Sequence, residues 1–155
     1  MFNLTLLTID KLKTKYFLAA YEEYLKRLRP YAKIEVVELA ADKFNNSNKR
    51  PAQLNETKRL EKYLNKQSDS FVIILDEAGQ ELPSMELAKF LKQKANFKII
   101  LVIAGSLGFT KEFLAKPYFK LSLSKLTLPH ELARVVLLEQ LYRSVTIINK
   151  KDYHY

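Results

Sequence analysis

Residues 71–76 read FVIILD and residues 97–105 read FKIILVIAG. Both are continuous apolar runs, short and rich in β-branched residues. A strand with one wet face alternates apolar with polar residues, whereas a strand covered on both faces does not. The two runs therefore predict neighbouring central strands of a parallel sheet with helices on either side. Working outward, FNLTLLTI (2–9) is another β-rich run. Residues 14–29 place Phe17, Leu18, Tyr21, Tyr24, Leu25 and Leu28 at helical spacing, and Pro30 closes the segment. KIEVVEL (33–39) alternates like a strand, and AADKFNNSNKRP (40–51) reads as a basic, Asn-rich loop. A polar helix is expected over 52–66 and a turn over EAGQELP (77–83). Ser84 is expected to cap a helix over 85–95, with Glu86 in its first turn. A short helix near 110–116, a strand over 118–124, a long helix from Pro129 to Asn149 and a KDYHY tail complete the chain. The fold class is α/β, a mostly parallel sheet between helices, in one domain spanning 1–155.

Composition narrows the chemistry. No cysteine is present, so disulfides, thiolate nucleophiles and cysteine-based zinc sites are excluded. His130 and His154 are the only histidines, and no metal site is expected. The apolar start is broken by Asp10 and Lys11 and lacks a basic leader and a small-residue cleavage site. It reads as neither signal peptide nor membrane span, and a cytoplasmic protein is expected. Twenty-six Lys and Arg against seventeen Asp and Glu leave a net charge of +9. That excess fits either a polyanionic partner or a lysine-rich solvated surface.

The last helix is apolar around most of its circumference: Leu132, Ala133, Val135, Val136, Leu137, Leu138, Leu141, Tyr142 and Val145 leave almost no polar face. A sheet covers one side of such a helix. A second copy of the chain would cover the other, so a homodimer through this helix is expected; a helix packed centrally within one subunit is the alternative.

Ligands of open α/β sheets bind off the carboxyl ends of the strands. Three such ends stand out: Leu75-Asp76 with Gly79, Ala104-Gly105-Ser106-Leu107-Gly108, and LSLSKLTLP over 121–129. Glycine just past a buried strand permits close backbone approach or positive φ. The phosphate loop GxxxxGK[ST], the dinucleotide motif GxGxxG and the nucleophile elbow GxSxG are all absent. Glu22 and Glu23 sit together on a predicted helix and read as solvated.

LDEAG at 75–79, AGSLG at 104–108 and LSLSKLTLPHELARVVLLEQLYR at 121–143 resemble the ribosomal large-subunit RNA methyltransferase H family. The likeness extends through KLK at 11–13 and EEYLKRL at 22–28 to Tyr153-His154, nearly the whole chain. The resemblance implies a small SPOUT-class enzyme with a C-terminal trefoil knot, dimeric, using S-adenosyl-L-methionine (SAM) to methylate N3 of a pseudouridine in helix 69 of 23S rRNA in the assembled ribosome. The family's cofactor contacts carry over onto Leu75, Ala104, Gly105, Leu123, Ser124, Lys125, Leu126, Thr127 and Leu128. Two positions depart from the family pattern: Ala104 stands where Gly is usual, and Ile9-Asp10 where Val-Gly is common.

Candidates for the chemistry on the imide are Arg143, Tyr153 and His154. Arg143 would hold a phosphate or the developing imide anion, and His154 would accept the proton or contact RNA. His130, second in its helix after Pro129, reads as a structural capping group. Each tail is expected to complete the partner subunit's site. Lys43, Lys49, Arg50, Lys58, Arg59 and Lys62 are candidate phosphate contacts, or else a solvated loop and helix face. Two rival classes stay open: a ribosome- or RNA-binding protein that has lost SAM, and an α/β enzyme using a different nucleotide or RNA.

Overall fold

A computed structural model describes residues 1–155. Ten elements follow in order: β1 (Phe2–Ile9), α1 (Lys15–Leu28), β2 (Ala32–Leu39), α2 (Lys49–Leu64), β3 (Ser70–Glu81), α3 (Ser84–Gln93), β4 (Lys98–Ile103), α4 (Lys111–Leu114), β5 (Phe119–Ser122) and α5 (His130–Ile148). The five strands form one sheet in the order β2-β1-β4-β3-β5, and every pairing is parallel.

The apolar runs do what their lack of alternation predicts. Along β4, Ile99, Leu101 and Ile103 join one core with Leu4 and Leu6 of β1, while Ile100 and Val102 join a second core with Leu7 and Ile9. The first core lies under α1, α3 and α5, which supply Tyr21, Leu28, Leu87, Leu91, Leu137, Leu138 and Leu141. The second lies under α2 and α4, through Leu60, Leu64 and Phe113. Because every pairing is parallel, all five carboxyl ends lie at the same edge of the molecule.

Three local expectations are corrected. The 77–81 stretch does not turn the chain but continues β3: after an irregularity between Leu75 and Gln80, Gln80 and Glu81 pair with Leu121 and Ser122 of β5. Gly79 permits this, because a Cβ there would lie 2.7 Å from the backbone carbon and oxygen of Lys120. Ser84 is not a cap; Pro83 occupies the N-cap position, and the Ser84 hydroxyl donates to Gln140 Oε1 at 2.8 Å. Helix α2 begins at Lys49 rather than near 52, since Pro51 falls in its first turn, where a missing N–H is tolerated.

Helix α5 packs against both α1 and α3, so part of its apolar circumference is covered within the chain. Its first turns are anchored by two charged residues. Arg134, 1% exposed, donates to the carbonyls of Ile9 (2.7 Å) and Asp10 (3.1 Å) at the end of β1. Glu131 accepts from the Thr14 hydroxyl and from the backbone amides of Lys13 and Thr14. Asp10 has φ 68°, in the left-handed region that glycine enters freely and Asp tolerates better than most residues.

Candidate functional site

At the carboxyl edge the ends of β3, β4 and β5 part around a cleft of about 720 Å³. Segments 75–77, 103–106, 108–109 and 123–130 supply most of its wall. Of the nine predicted cofactor residues, Leu75, Ala104, Gly105, Leu123, Ser124, Leu126, Thr127 and Leu128 line it. Lys125 does not: its side chain is 86% exposed and lies 4.0 Å from Glu81.

The loop over 123–128 is held by its own hydroxyls. Ser122 donates to the carbonyl of Ser124 at 2.9 Å, and Ser124 Oγ accepts from the amide of Leu126 at 2.9 Å. Thr127 donates to Glu77 Oε2 at 2.7 Å, tying this loop to the one after Leu75. These side chains shape the loop. Gly105 fits because its missing Cβ would meet Ile9 Cγ2 at 2.9 Å, so the 104–106 backbone lies close over the end of β1. Gln53 of α2 donates to the carbonyls of Leu107 and Phe109, fixing the rest of that loop. Gly108 takes φ 70°, the positive φ anticipated for one of the glycines.

Three titratable residues line the cleft: Asp76, Glu77 and His130. His130, read from sequence as a helix cap, is thus part of the wall. Burial pushes its imidazole below the ordinary value, and the Arg134 guanidinium adds to this, so the ring is neutral at pH 7.

Arg143, Tyr153 and His154 come together, but at the other end of α5. The helix closes with Lys150 at φ 54°, the Lys150 amide donating to the Ile147 carbonyl and the Lys151 amide to that of Thr146. This left-handed closure turns the tail back along the helix. Tyr153 then packs on Tyr142 with ring centroids 4.8 Å apart, and the Arg143 guanidinium lies 4.8 Å from the Tyr153 ring centre. Glu139, missed in the sequence, is the hub. Its Oε1 accepts from Arg143 Nε (3.1 Å) and Nη2 (2.8 Å) and from the Tyr153 hydroxyl (3.2 Å). Arg143 Nη1 lies 3.3 Å from His154 Nδ1. Guanidinium can only donate, so Nδ1 accepts and the ring proton sits on Nε2. Burial, followed by hydrogen bonding with Tyr24, raises the Tyr153 phenol, which therefore stays protonated. The cluster is a set of donors.

The two groups of residues are well separated within one chain. The thirteen residue-to-residue steps of helix from His130 to Arg143 span roughly 20 Å. Among the proposed phosphate contacts, Arg50 pairs with Glu112 at 3.1 Å and Arg59 with Asp42 at 2.5 Å, as Arg143 does with Glu139 at 2.8 Å; Lys43, Lys49, Lys58 and Lys62 are exposed. No group of three or more His, Asp or Glu is placed to hold a metal. No helix is long and apolar enough to cross a membrane.

A family model described as predicted SPOUT methyltransferase matches residues 2–154, which sets the class. The chain is 41% identical over 157 residues to ribosomal RNA large subunit methyltransferase H of Clostridium beijerinckii, covering 98% of this chain and 99% of that protein. It is 42% identical over 156 residues to the protein of the same name from Kosmotoga olearia, covering 99% of each. Among solved structures, a probable methylase family protein from Haemophilus influenzae Rd KW20 superposes with a TM-score of 0.62 at 13% identity, over 99% of this chain and 71% of that one, a likeness of fold. The chain belongs to the SPOUT methyltransferase family and, within it, to ribosomal RNA large subunit methyltransferase H.

Proposed function

We propose that this chain is a SAM-dependent methyltransferase that methylates N3 of a pseudouridine in helix 69 of 23S rRNA within the assembled ribosome. The observation that carries the reading is the cleft itself, where eight of the nine residues expected to hold SAM converge from three separate segments. Its volume falls in the range of small-molecule sites, roughly 300–1,000 Å³. Its walls combine leucines with backbone polar groups, which suits an adenine face and edge. Leu75, Leu123, Leu126 and Leu128 would sandwich the purine, and the backbone of 104–105 and 123–128 would meet its polar edge. When bound, the sulfonium supplies an electrophilic methyl group.

This chain's part of the chemistry is orientation and charge. The imide N3–H is a weak acid whose anion is the better nucleophile. Arg143, held by Glu139, presents guanidinium N–H groups for that developing anion, and His154 presents Nε2–H beside them. The imide proton leaves to solvent. Because the donors and the cleft stand roughly 20 Å apart along α5, the reading requires a homodimer in which each tail reaches the other subunit's cleft. Leu132, Val135, Val136, Ile147 and Ile148, all only part-buried on α5, offer apolar surface for that contact. The reading places the whole chain, 1–155, in one cytoplasmic enzyme domain whose exposed lysines meet rRNA phosphate.

The test is transfer of labelled methyl from SAM to ribosomes lacking the modification, beside free rRNA. Incorporation at one pseudouridine, in ribosomes only, is expected. Binding to ribosomes with neither incorporation nor SAM binding would instead establish the non-enzymatic RNA-binding reading.

A further inference from the structure

The cleft carries the opposite charge from the rest of the molecule. The chain has a net charge of +9, yet none of the residues lining the cleft is Lys or Arg. Asp76 and Glu77 line it, and neither forms an ion pair. The polar partners of these carboxylates are neutral: Asp76 Oδ1 accepts from the amide of Ala78 at 3.3 Å, and Glu77 Oε2 from the Thr127 hydroxyl at 2.7 Å. His130, the remaining titratable group of the wall, is uncharged at pH 7 because burial lowers its pKa. A wall charge of −2 inside a basic protein is a local field that favours a cation.

Resting on the cofactor reading above, we infer that Asp76 and Glu77 are specificity-determining residues that make the cleft select the positively charged sulfonium donor over its thioether product. Methyl transfer breaks the S–CH3 bond, leaves its electron pair on sulfur and so removes one positive charge from the occupant. The apolar wall and backbone contacts hold both forms alike, whereas the two carboxylates favour only the cation. The carboxylates are solvent-accessible, so each contributes modestly and is screened by salt.

The test is calorimetric binding of SAM and of S-adenosylhomocysteine to the full chain, to Glu77→Gln, to Asp76→Asn and to the double variant. Glutamine at 77 keeps an acceptor for Thr127, so the loop tie is retained. Asp69→Asn, far from the cleft at the amino edge, controls for net charge. Each cleft variant is expected to weaken SAM about threefold, and the double variant about tenfold, while the product changes less than about twofold. The native preference for SAM should also shrink between low and high salt. Equal weakening of both ligands, or no change in either, would overturn the inference and leave the cofactor reading standing. A native chain that binds neither ligand would overturn the cofactor reading and this inference with it.

Discussion

The two ends of α5 are built for opposite charges. At its amino end, Glu131 and Arg134 fasten the helix to residues 9–14, and the wall it presents to the cleft carries a neutral His130 opposite Asp76 and Glu77. At its carboxyl end, Glu139 gathers Arg143 and Tyr153, Arg143 reaches His154, and Lys150 and Lys151 lie exposed alongside. One end suits a cationic donor and the other a polyanionic acceptor. On one chain they stand roughly 20 Å apart. The proposed function therefore requires a second subunit to bring them together.

Substitutions can break this comparison at either end. The largest effect is expected at Gly79: Gly79→Ala drives a methyl group into the Lys120 backbone, which cannot yield as a side chain would. Loss of about 3 kcal/mol of stability in denaturant titration is expected, with the β3–β5 side of the cleft lost first. At the other end, Arg143→Ala should lower methyl transfer about 100-fold while SAM affinity by calorimetry stays within about twofold. A parallel loss of SAM affinity would mean that the two ends are not separate. Glu139→Gln keeps an acceptor but removes the charge that holds Arg143, and about a tenfold loss of methyl transfer is expected, again with SAM binding intact.

Smaller effects sharpen the picture of the amino end. The Glu131 carboxyl is held below its ordinary value, chiefly by the Thr14 hydroxyl. A depressed carboxylate contributes stability that is complete above the unfolded value of 4.5 and is lost as pH falls through the lowered folded value. Glu131→Gln should therefore cost about 1 kcal/mol at pH 7, after discounting for solvent exposure, and nothing once pH lies below both values. Thermal melts across that range check it. Lys125→Ala should change SAM affinity by less than about 0.5 kcal/mol, because its side chain is exposed and outside the cleft wall.

The sheet was largely legible in the sequence because apolar runs such as FVIILD and FKIILVIAG report burial on both faces, a property each strand carries locally. The continuation of β3 through 77–81 was not legible. A glycine within EAGQELP reads as a turn, and only the distant backbone of Lys120 reveals that Gly79 is there for close approach. Ser84 misled for a similar reason: its hydroxyl has a partner on α5, Gln140, which sequence neighbours do not disclose.

The cleft residues followed from the resemblance, and the structure brings eight of them to one wall. Glu139 and Arg134 were passed over because charged residues on a helix read as solvated. Their roles depend on which residues face them: the returning tail for one, the end of β1 for the other. A single charged residue inside a run as apolar as LARVVLL (132–138) is the signal that would have singled out Arg134. His130 was passed over because its place after Pro129 suggested a cap, whereas the cleft forms only when β3, β4 and β5 end together.

The most direct test of the two-ended account is subunit complementation. A cleft variant, Gly105→Val, would be mixed with the tail variant Arg143→Ala under conditions that let subunits exchange, and methyl transfer to ribosomes measured. Each alone should be nearly inactive. Random exchange would place one intact cleft beside one intact tail in half of the dimers, restoring roughly a quarter of native activity. No recovery, with exchange verified by mass, would contradict the account and return both halves of the site to a single chain.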